Sequence, residues 1–244
     1  MARKPSADGT TPKRSSCLLD RFCGRARDRH PDTKQRLLEA AVRIFAAKGY
    51  LSTTVRDICA EAGANGAAVN YHFGDKNQLY AAVLHHIFGE HHDLGELFPP
   101  LPPGASAEER LERHIHIAVR KVYHDANCPG PGSPAPIFLM EMARPSEHLG
   151  GIVDRYIRAD HEKLKAILGD LLGPAAPRAL VEQAEDFVWG ALLMRLFTLP
   201  IDRHLGRSSE PGDDLEGLAR DIIDFTLGGL AALRGRLDAE KDTP

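Results

Sequence analysis

The stretch that decides the fold is residues 33–84, TKQRLLEAAVRIFAAKGYLSTTVRDICAEAGANGAAVNYHFGDKNQLYAAVL. Its apolar residues recur at spacings of three and four, which is the period of an amphipathic helix. The first helix is predicted to begin at Asp32, a helix-capping residue type, and to end at Gly49, because glycine tolerates the left-handed conformation that terminates helices. A later helix is predicted to open at Lys76.

Two short helices and a tight turn are predicted between these longer ones. Thr53 and Thr54 can cap the first of the pair, which ends at Gly63, and Asn65 can cap the second. Two helices joined by a glycine-containing turn form the helix-turn-helix arrangement, whose second helix enters the major groove of DNA. The alternative is a helical hairpin inside an all-helical core, which has the same periodicity.

The predicted reading helix, 66–72, has a composition suited to DNA. Its first turn carries almost no side-chain bulk, so the backbone can approach bases closely and a methyl group can pack against thymine: Gly66, Ala67 and Ala68. Its second half supplies hydrogen-bonding groups for phosphate oxygens, and asparagine can also pair with adenine: Asn70, Tyr71 and His72. In a helical hairpin, the tyrosine and the histidine would instead pack in the core.

Within this stretch, the runs AAVRIFAAKGY, TTVRDI and NYHFGDK and the AG turn resemble the DNA-binding domain of TetR-type transcriptional regulators. The resemblance implies phosphate contacts from Thr54, Tyr71, His72 and Lys76, and a base or phosphate contact from Arg56. It also implies that bases are read by Asn65, Gly66, Ala67 and Ala68. Asn70 departs from the pattern, because many members of the family carry a tyrosine there.

The charge of the chain is divided between its two ends. Residues 1–80 carry 14 Lys and Arg against 8 Asp and Glu, a net +6, whereas residues 81–244 carry a net −9. A basic N-terminal third is typical of a nucleic-acid-binding part joined to a separate body. The sequence therefore predicts a basic disordered tail over 1–30, a helix-turn-helix domain over 31–78 and a helical domain over 79–240. The tail either attracts phosphates or serves as a spacer.

The acidic body is predicted to be helical near 106–125, 134–143, 146–173, 177–199 and 213–234. The fold class is therefore all-α, with an N-terminal three-helix helix-turn-helix domain and a larger helical domain. The segment FLMEMARPSEHLGGIVDRYIRADHEKLKAILGDLLG, 138–173, is similar to the C-terminal domain of the CecR-like branch of TetR-type regulators. That resemblance implies a domain that binds a small organic or drug-like effector.

Candidate effector-pocket residues are large apolar side chains and charges inside apolar helices. They are Phe138, Glu141, Met142, Arg144, Trp189, Met194 and Arg195. The alternative is ordinary core packing for the apolar residues and mutual pairing for the charged ones. A dimer interface is predicted along two stripes of three-four spacing, Leu180, Ala184, Phe187 and Ala191 on one helix and Leu215, Leu218, Ile222 and Phe225 on the next. An intramolecular core would give the same stripes.

Other function classes lack their signals. No GxSxG, dinucleotide fingerprint or phosphate-binding loop is present, so neither an enzyme nor a cofactor is expected. His85, His86, His91 and His92 could form a metal-sensing site, but without matching Cys or His spacing a solvated helix end is the simpler account. His114 and His116 do not share a helical face. Four unpaired cysteines and the absence of a long apolar run indicate a cytoplasmic protein with no membrane partner.

These observations together predict a regulator of transcription. We expect a homodimer that binds a palindromic operator in double-stranded DNA through two recognition helices. A small-molecule effector would favour a conformation with the wrong spacing of these helices and so release the repressor from its operator. The alternatives are a purely architectural DNA-binding protein and, without support from any motif, an enzyme.

Overall fold

The computed structural model describes residues 32–89, 97–124, 135–206 and 214–241. Every regular element within these ranges is helical, which confirms the all-α prediction. The helices are α1 Thr33–Ser52, α2 Val55–Glu61, α3 Ala67–Phe73, α4 Lys76–Gly89, α5 Ala107–His124, α6 Ala135–Ala143, α7 Leu149–Ile152, α8 Arg158–Leu172, α9 Arg178–His204 and α10 Leu215–Lys241. In the described part of the chain, no helix has the length and apolar character that crossing a membrane requires. The predicted tail, 1–30, lies outside the described residues.

Helices α1 to α4 enclose an apolar core. Gly49, the predicted end of the first helix, interrupts it with a non-helical conformation, and α1 continues beyond that kink to Ser52. Gly49 has φ 75°, and Gly63 has φ 59°. Both angles lie in the left-handed region, which costs glycine little because it lacks a Cβ. Phe45 is fully buried in this core, and its ring meets that of Tyr80 edge to face with 4.9 Å between centroids. Val69 of α3 is fully buried as well, so the short α3 is fixed by packing rather than by its own helical stability.

Helices α5, α8, α9 and α10 form a second apolar core. Its fully buried members include Leu111 and Ile115 of α5, Leu164 of α8 and Leu192 of α9. The buried Tyr123 hydroxyl donates a hydrogen bond to the Leu192 carbonyl oxygen at 2.5 Å. This bond satisfies a polar group that would otherwise be buried without a partner.

Helix α6 connects the two cores. Ile137 of α6 and Ile152 of α7 are buried in the same cluster as α1 to α4. The Tyr80 hydroxyl of α4 donates to Glu141 Oε1 of α6 at 2.7 Å, and both residues are buried. The apolar core around the first four helices therefore includes segments far beyond residue 78, the boundary that the sequence predicts for the first domain.

The helix predicted over 146–173 is present over 149–172, but it is not uniformly α-helical. The structure divides it into α7, one π-helical turn over Val153–Ile157, and α8. Gly150 and Gly151 are poor helix formers, and they precede this irregular turn. The helices expected over 177–199 and 213–234 are present but continue to His204 and Lys241.

Candidate nucleic-acid interface and effector cavity

A capping box fixes the start of α2. The Asp57 amide donates to Thr54 Oγ1 at 3.1 Å, and the Thr54 amide donates in return to Asp57 Oδ2 at 2.9 Å. The Thr54 hydroxyl also donates to the same carboxylate at 2.7 Å, and Lys48 Nζ lies 3.1 Å from Asp57 Oδ1. The hydrogen bonds from Thr54, followed by that from Lys48, lower the pKa of Asp57 to about 2. The exposed Thr54 is thus held rigidly at the N-terminus of α2, with its hydroxyl and amide hydrogens both donated to Asp57.

The turn between α2 and α3 is fixed by one side chain. Asn65 Oδ1 accepts a hydrogen bond from the Ala67 amide at 2.9 Å, and this confirms that Asn65 caps α3. Its backbone carbonyl also lies 3.5 Å from the Cys59 thiol of α2. One lone pair of the Asn65 side-chain oxygen is therefore engaged, while its second lone pair and the amide NH₂ of this exposed residue are available to a base.

The outer face of α3 is open to solvent. Gly66, Ala67, Asn70 and Tyr71 are exposed, and Tyr71 has 85% of its surface accessible. An exposed tyrosine of this size on a short helix has no packing role, so it is free to contact another molecule. Ala68 and His72 are half-buried, and Ala68 packs against the core of the first four helices. The predicted reading residues therefore divide into an exposed group and two that lie partly inside.

Lys76 has a different environment from the one predicted. Its ammonium group donates to the carbonyl oxygens of Tyr50 at 3.0 Å and Thr53 at 2.9 Å, and it lies 4.3 Å from the centre of the Tyr50 ring. These contacts satisfy carbonyls at the end of α1 and attach α4 to that end. The Lys76 side chain therefore has an internal structural role that the sequence did not predict; its ammonium retains a third N–H, and the phosphate contact stays a prediction. Arg56, in contrast, is exposed on α2.

The predicted effector-pocket residues do not lie together. Glu141 accepts hydrogen bonds from the Tyr80 hydroxyl and, at 3.0 Å, from the Ser146 hydroxyl. The Tyr80 bond directs Glu141 toward α4 rather than toward a cavity. Phe138 lies against Phe88 of α4, with 5.9 Å between ring centroids. Three others are exposed: Met142, Arg144 and Met194. Arg195 is half-buried on α9 and engaged in contacts of its own. Helical periodicity in the sequence cannot reveal that these residues lie apart, because an apolar stripe has the same spacing whether it faces a core or a cavity.

A cavity of about 880 Å³ lies among the loop 98–105, α5 and α8, and Trp189 of α9 is the predicted pocket residue that lines it. Such a volume suits a small organic molecule. His114 lines it too, with 9% of its surface exposed and with no hydrogen-bond partner on Nε2. Burial lowers the pKa of His114 to about 4, with Asp160 opposing the shift and Lys163 adding to it. The Trp189 indole Nε1 is likewise buried, and neither of these two atoms has a hydrogen-bond partner among the described residues.

Sequence reasoning missed His114, although a signal for it exists. Arg110, His114, Ile117 and Lys121 all line the cavity, at spacings of four, three and four along α5. A helical stripe that mixes cations with apolar residues and faces inward is unusual for a core helix. The pattern becomes informative only when the opposing surface on α8 is known.

Most residues of the two predicted dimer stripes pack against the core of their own chain. Ala184 and Ile222 are buried in the core of the body, so their assignment to a dimer interface is wrong. Four others are partly buried against the same core: Leu180, Ala191, Leu215 and Leu218. Phe187 and Phe225 remain exposed, at 58% and 75%. Together with the exposed Met194 and Ile201, Phe187 forms a stripe of seven-residue spacing along α9.

The histidines at the end of α4 are only partly described. His85 Nδ1 lies 3.1 Å from the Tyr156 hydroxyl of the π-helical turn, and His91 and His92 lie outside the described residues. Among the described ranges, no group of three or more potential metal ligands comes together.

Comparison with known proteins places both parts of the chain. Residues 37–83 match the family described as bacterial regulatory proteins, tetR family, and residues 107–230, half of the chain, match the C-terminal domain of the HTH-type transcriptional dual regulator CecR. The HTH-type transcriptional repressor Rv3405c of Mycobacterium tuberculosis is 37% identical over 84 residues, 34% of this chain; the chain thus spans only 43% of that relative's length.

Two further relatives extend over most of the chain. The HTH-type transcriptional regulator BetI of Brucella canis is 26% identical over 200 residues, which cover 82% of this chain and 93% of BetI. The structure of the transcriptional regulator FadR from Bacillus subtilis, in complex with stearoyl-CoA, superposes with a TM-score of 0.57 at 18% identity, over 80% of this chain and 97% of that one. At this identity, the structural likeness shows the shared fold.

Proposed function

The chain belongs to the TetR family of bacterial regulatory proteins and is a DNA-binding transcriptional regulator rather than an enzyme; from this premise we propose that it is a dimeric repressor released from a palindromic operator by a small organic effector. The observation that carries the proposal is the exposed face of α3 on a well-packed helix-turn-helix unit, joined through α6 to a body that contains a cavity. Such a regulator acts in the cytoplasm, where the chromosome is.

The exposed residues of α2 and α3 supply the DNA contacts. Asn70 and Tyr71 project from the outer face of α3, and Thr54 and Arg56 lie exposed at the start of α2. Gly66 and Ala67 allow the backbone to approach base edges, while the side chains around them bind phosphate oxygens. His72 contacts DNA at the edge of this surface. Its side chain is partly covered by the protein and partly accessible.

Helices α9 and α10 form the dimer interface. Their exposed apolar residues, Phe187, Met194 and Phe225, lie on the last two helices of the chain. Large exposed apolar side chains grouped in this way are typical of protein–protein contact surfaces. Two copies joined by a twofold axis place their α3 helices about 34–36 Å apart, one turn of DNA, which is the spacing that a palindrome requires.

The effector acts by shifting the body against the DNA-binding helices. The Tyr80–Glu141 bond connects α4 with α6, and Asn77 Nδ2 of α4 donates to Glu147 Oε1 at 2.7 Å, while its Oδ1 lies 3.0 Å from His148 Nε2. A ligand that binds the non-DNA-binding arrangement better than the DNA-binding one moves the population toward release. The FadR structure, solved with stearoyl-CoA, supports ligand binding by this fold.

The proposal is tested by a fluorescence-anisotropy titration. The purified full chain is added to labelled DNA from the region upstream of its own gene, and to a scrambled duplex, at two salt concentrations. Specific binding survives competitor DNA and higher salt, because base contacts add to the phosphate contacts that salt weakens. Equal binding to both duplexes, lost on adding salt, would leave only non-specific attraction and would contradict the operator proposal for this DNA.

A further inference from the structure

Among the described residues, the cavity has more positive than negative side chains in its lining. Arg110, Arg113, Lys121 and Lys163 line it, and the one carboxylate from the described ranges is that of Asp160. Lys121 Nζ lies 2.6 Å from Asp160 Oδ2, so this carboxylate is already neutralised within the chain. The remaining charge in the lining is therefore positive.

Two of these cations have no carboxylate partner in the described part of the chain. The Arg113 guanidinium donates to the backbone carbonyls of Phe98 and Pro99, which positions the loop but leaves its charge uncompensated. Lys163, exposed on α8, forms no ion pair with any residue in the described ranges. Arg110 differs, since it pairs with Asp170 at 2.7 Å. Uncompensated cations beside a low-dielectric cavity attract an anion more strongly than they would in open water.

Two polar rings lie in the lining. Among the described residues, His114 Nε2 and Trp189 Nε1 have no hydrogen-bond partner, and each atom has almost no accessible surface, so neither faces the open part of the cavity. A buried polar atom without a partner costs free energy, so either atom gains only if the wall shifts and lets a ligand oxygen reach it. The low pKa of His114 keeps its ring neutral near pH 7, so it adds no charge to the lining.

The rest of the wall is apolar. Phe98 and Leu101 of the loop, Ile117 and Val122 of α5 and Ile167 of α8 line the cavity. We propose that the effector is an organic anion with an apolar body, whose anionic oxygens lie near Lys163 and Arg113, while its apolar part lies against the loop and α5. This inference rests on the proposed effector function and specifies the chemistry of that same site.

The single tryptophan of the chain provides the measurement. Trp189 lines the cavity, so its fluorescence reports occupation of the site without a label. The purified full chain is titrated with decanoate, decanamide and decyltrimethylammonium, which share an apolar chain and differ in charge. We expect decanoate to change the emission with an affinity at least about 10-fold above that of decanamide, which corresponds to about 1.4 kcal/mol, and the cation to bind more weakly still.

A matched pair of lysine variants locates the anion. Lys163→Gln should weaken decanoate binding about 5- to 10-fold and leave decanamide binding unchanged. Lys165→Gln is the control on the same helix, because Lys165 pairs with Glu162 at 2.6 Å and does not line the cavity. Equal effects of the two variants on decanoate, or equal affinity for acid and amide, would overturn the inference.

Anisotropy of the operator complex, measured with the same probes, separates this inference from the proposed function. If decanamide or the cation releases the operator and decanoate does not, the effector function stands and the anionic class is wrong. If none of the three changes Trp189 emission, the anion inference is overturned, whereas the proposed function is overturned only if the chain also fails to bind an operator specifically. If decanoate binds at Trp189 yet the chain binds no operator specifically, the anion site stands and the repressor proposal fails.

Discussion

The buried bond between Tyr80 and Glu141 should contribute more to stability than an ordinary tyrosine hydrogen bond. Tyr80 is 3% exposed and Glu141 2%, and the bond measures 2.7 Å. Burial, together with this bond, raises the pKa of Tyr80, so the hydroxyl remains a donor. Since a bond to a charged acceptor contributes roughly 1.5–3 kcal/mol, Tyr80→Phe should lower the free energy of unfolding by about 2 kcal/mol.

A second buried tyrosine provides the control. The Tyr123 hydroxyl donates to a neutral backbone carbonyl, that of Leu192, within the body. Tyr123→Phe should therefore cost about 1 kcal/mol, the range for neutral partners. The assay is urea unfolding at one fixed protein concentration, because the proposed dimerisation would make stability depend on concentration. For a chain of this length, thermal midpoints should fall by about 2–4 °C per kcal/mol.

A double-mutant cycle identifies the charge as the cause. Glu141→Gln keeps the shape and a neutral acceptor, so in that background Tyr80→Phe should cost only about 1 kcal/mol. Three results would refute the reasoning: a cost below about 0.5 kcal/mol for Tyr80→Phe, equal costs for the two tyrosines, or a cost that Glu141→Gln does not change.

Three further predictions concern recognition, assembly and pH. A Cβ at Gly66 meets no atom within 4 Å, so the Gly66→Arg variant should fold normally. It should change operator affinity and base preference in anisotropy titrations, with Gly66→Ala as the control. Unchanged DNA binding would exclude α3 as the helix that reads the bases. Phe225→Asp should convert the dimer to monomer in sedimentation velocity, and Leu51→Asp, equally exposed but on α1, should not; a persistent dimer would place the interface elsewhere. The pKa of His114 is about 4 in the folded chain, so below pH about 6.5 the unfolded chain binds more protons than the folded one. The free energy of unfolding should therefore fall by roughly 2 kcal/mol between pH 7.5 and pH 5. His114→Gln should remove this contribution, and an identical pH dependence of stability in the variant would contradict the prediction.

The sequence by itself determined the local architecture of the DNA-binding unit. The glycines at 49 and 63, the Thr54 cap and the Asn65 cap all act over a few residues, so their effect can be predicted from neighbours in the chain. The motifs in 33–84 likewise indicated the family, since a helix-turn-helix is a contiguous unit.

Only the tertiary structure decided which stripes of the body face a core, a cavity or solvent. Ile222 and Phe225 share a helical pattern, yet the first is buried in the chain and the second is exposed. The same holds for Lys76, whose ammonium binds carbonyls of α1 more than twenty residues away, and for Glu141, whose partner is Tyr80. Helical periodicity defines a face, but the identity of what covers that face depends on contacts between residues distant in sequence, which periodicity does not contain.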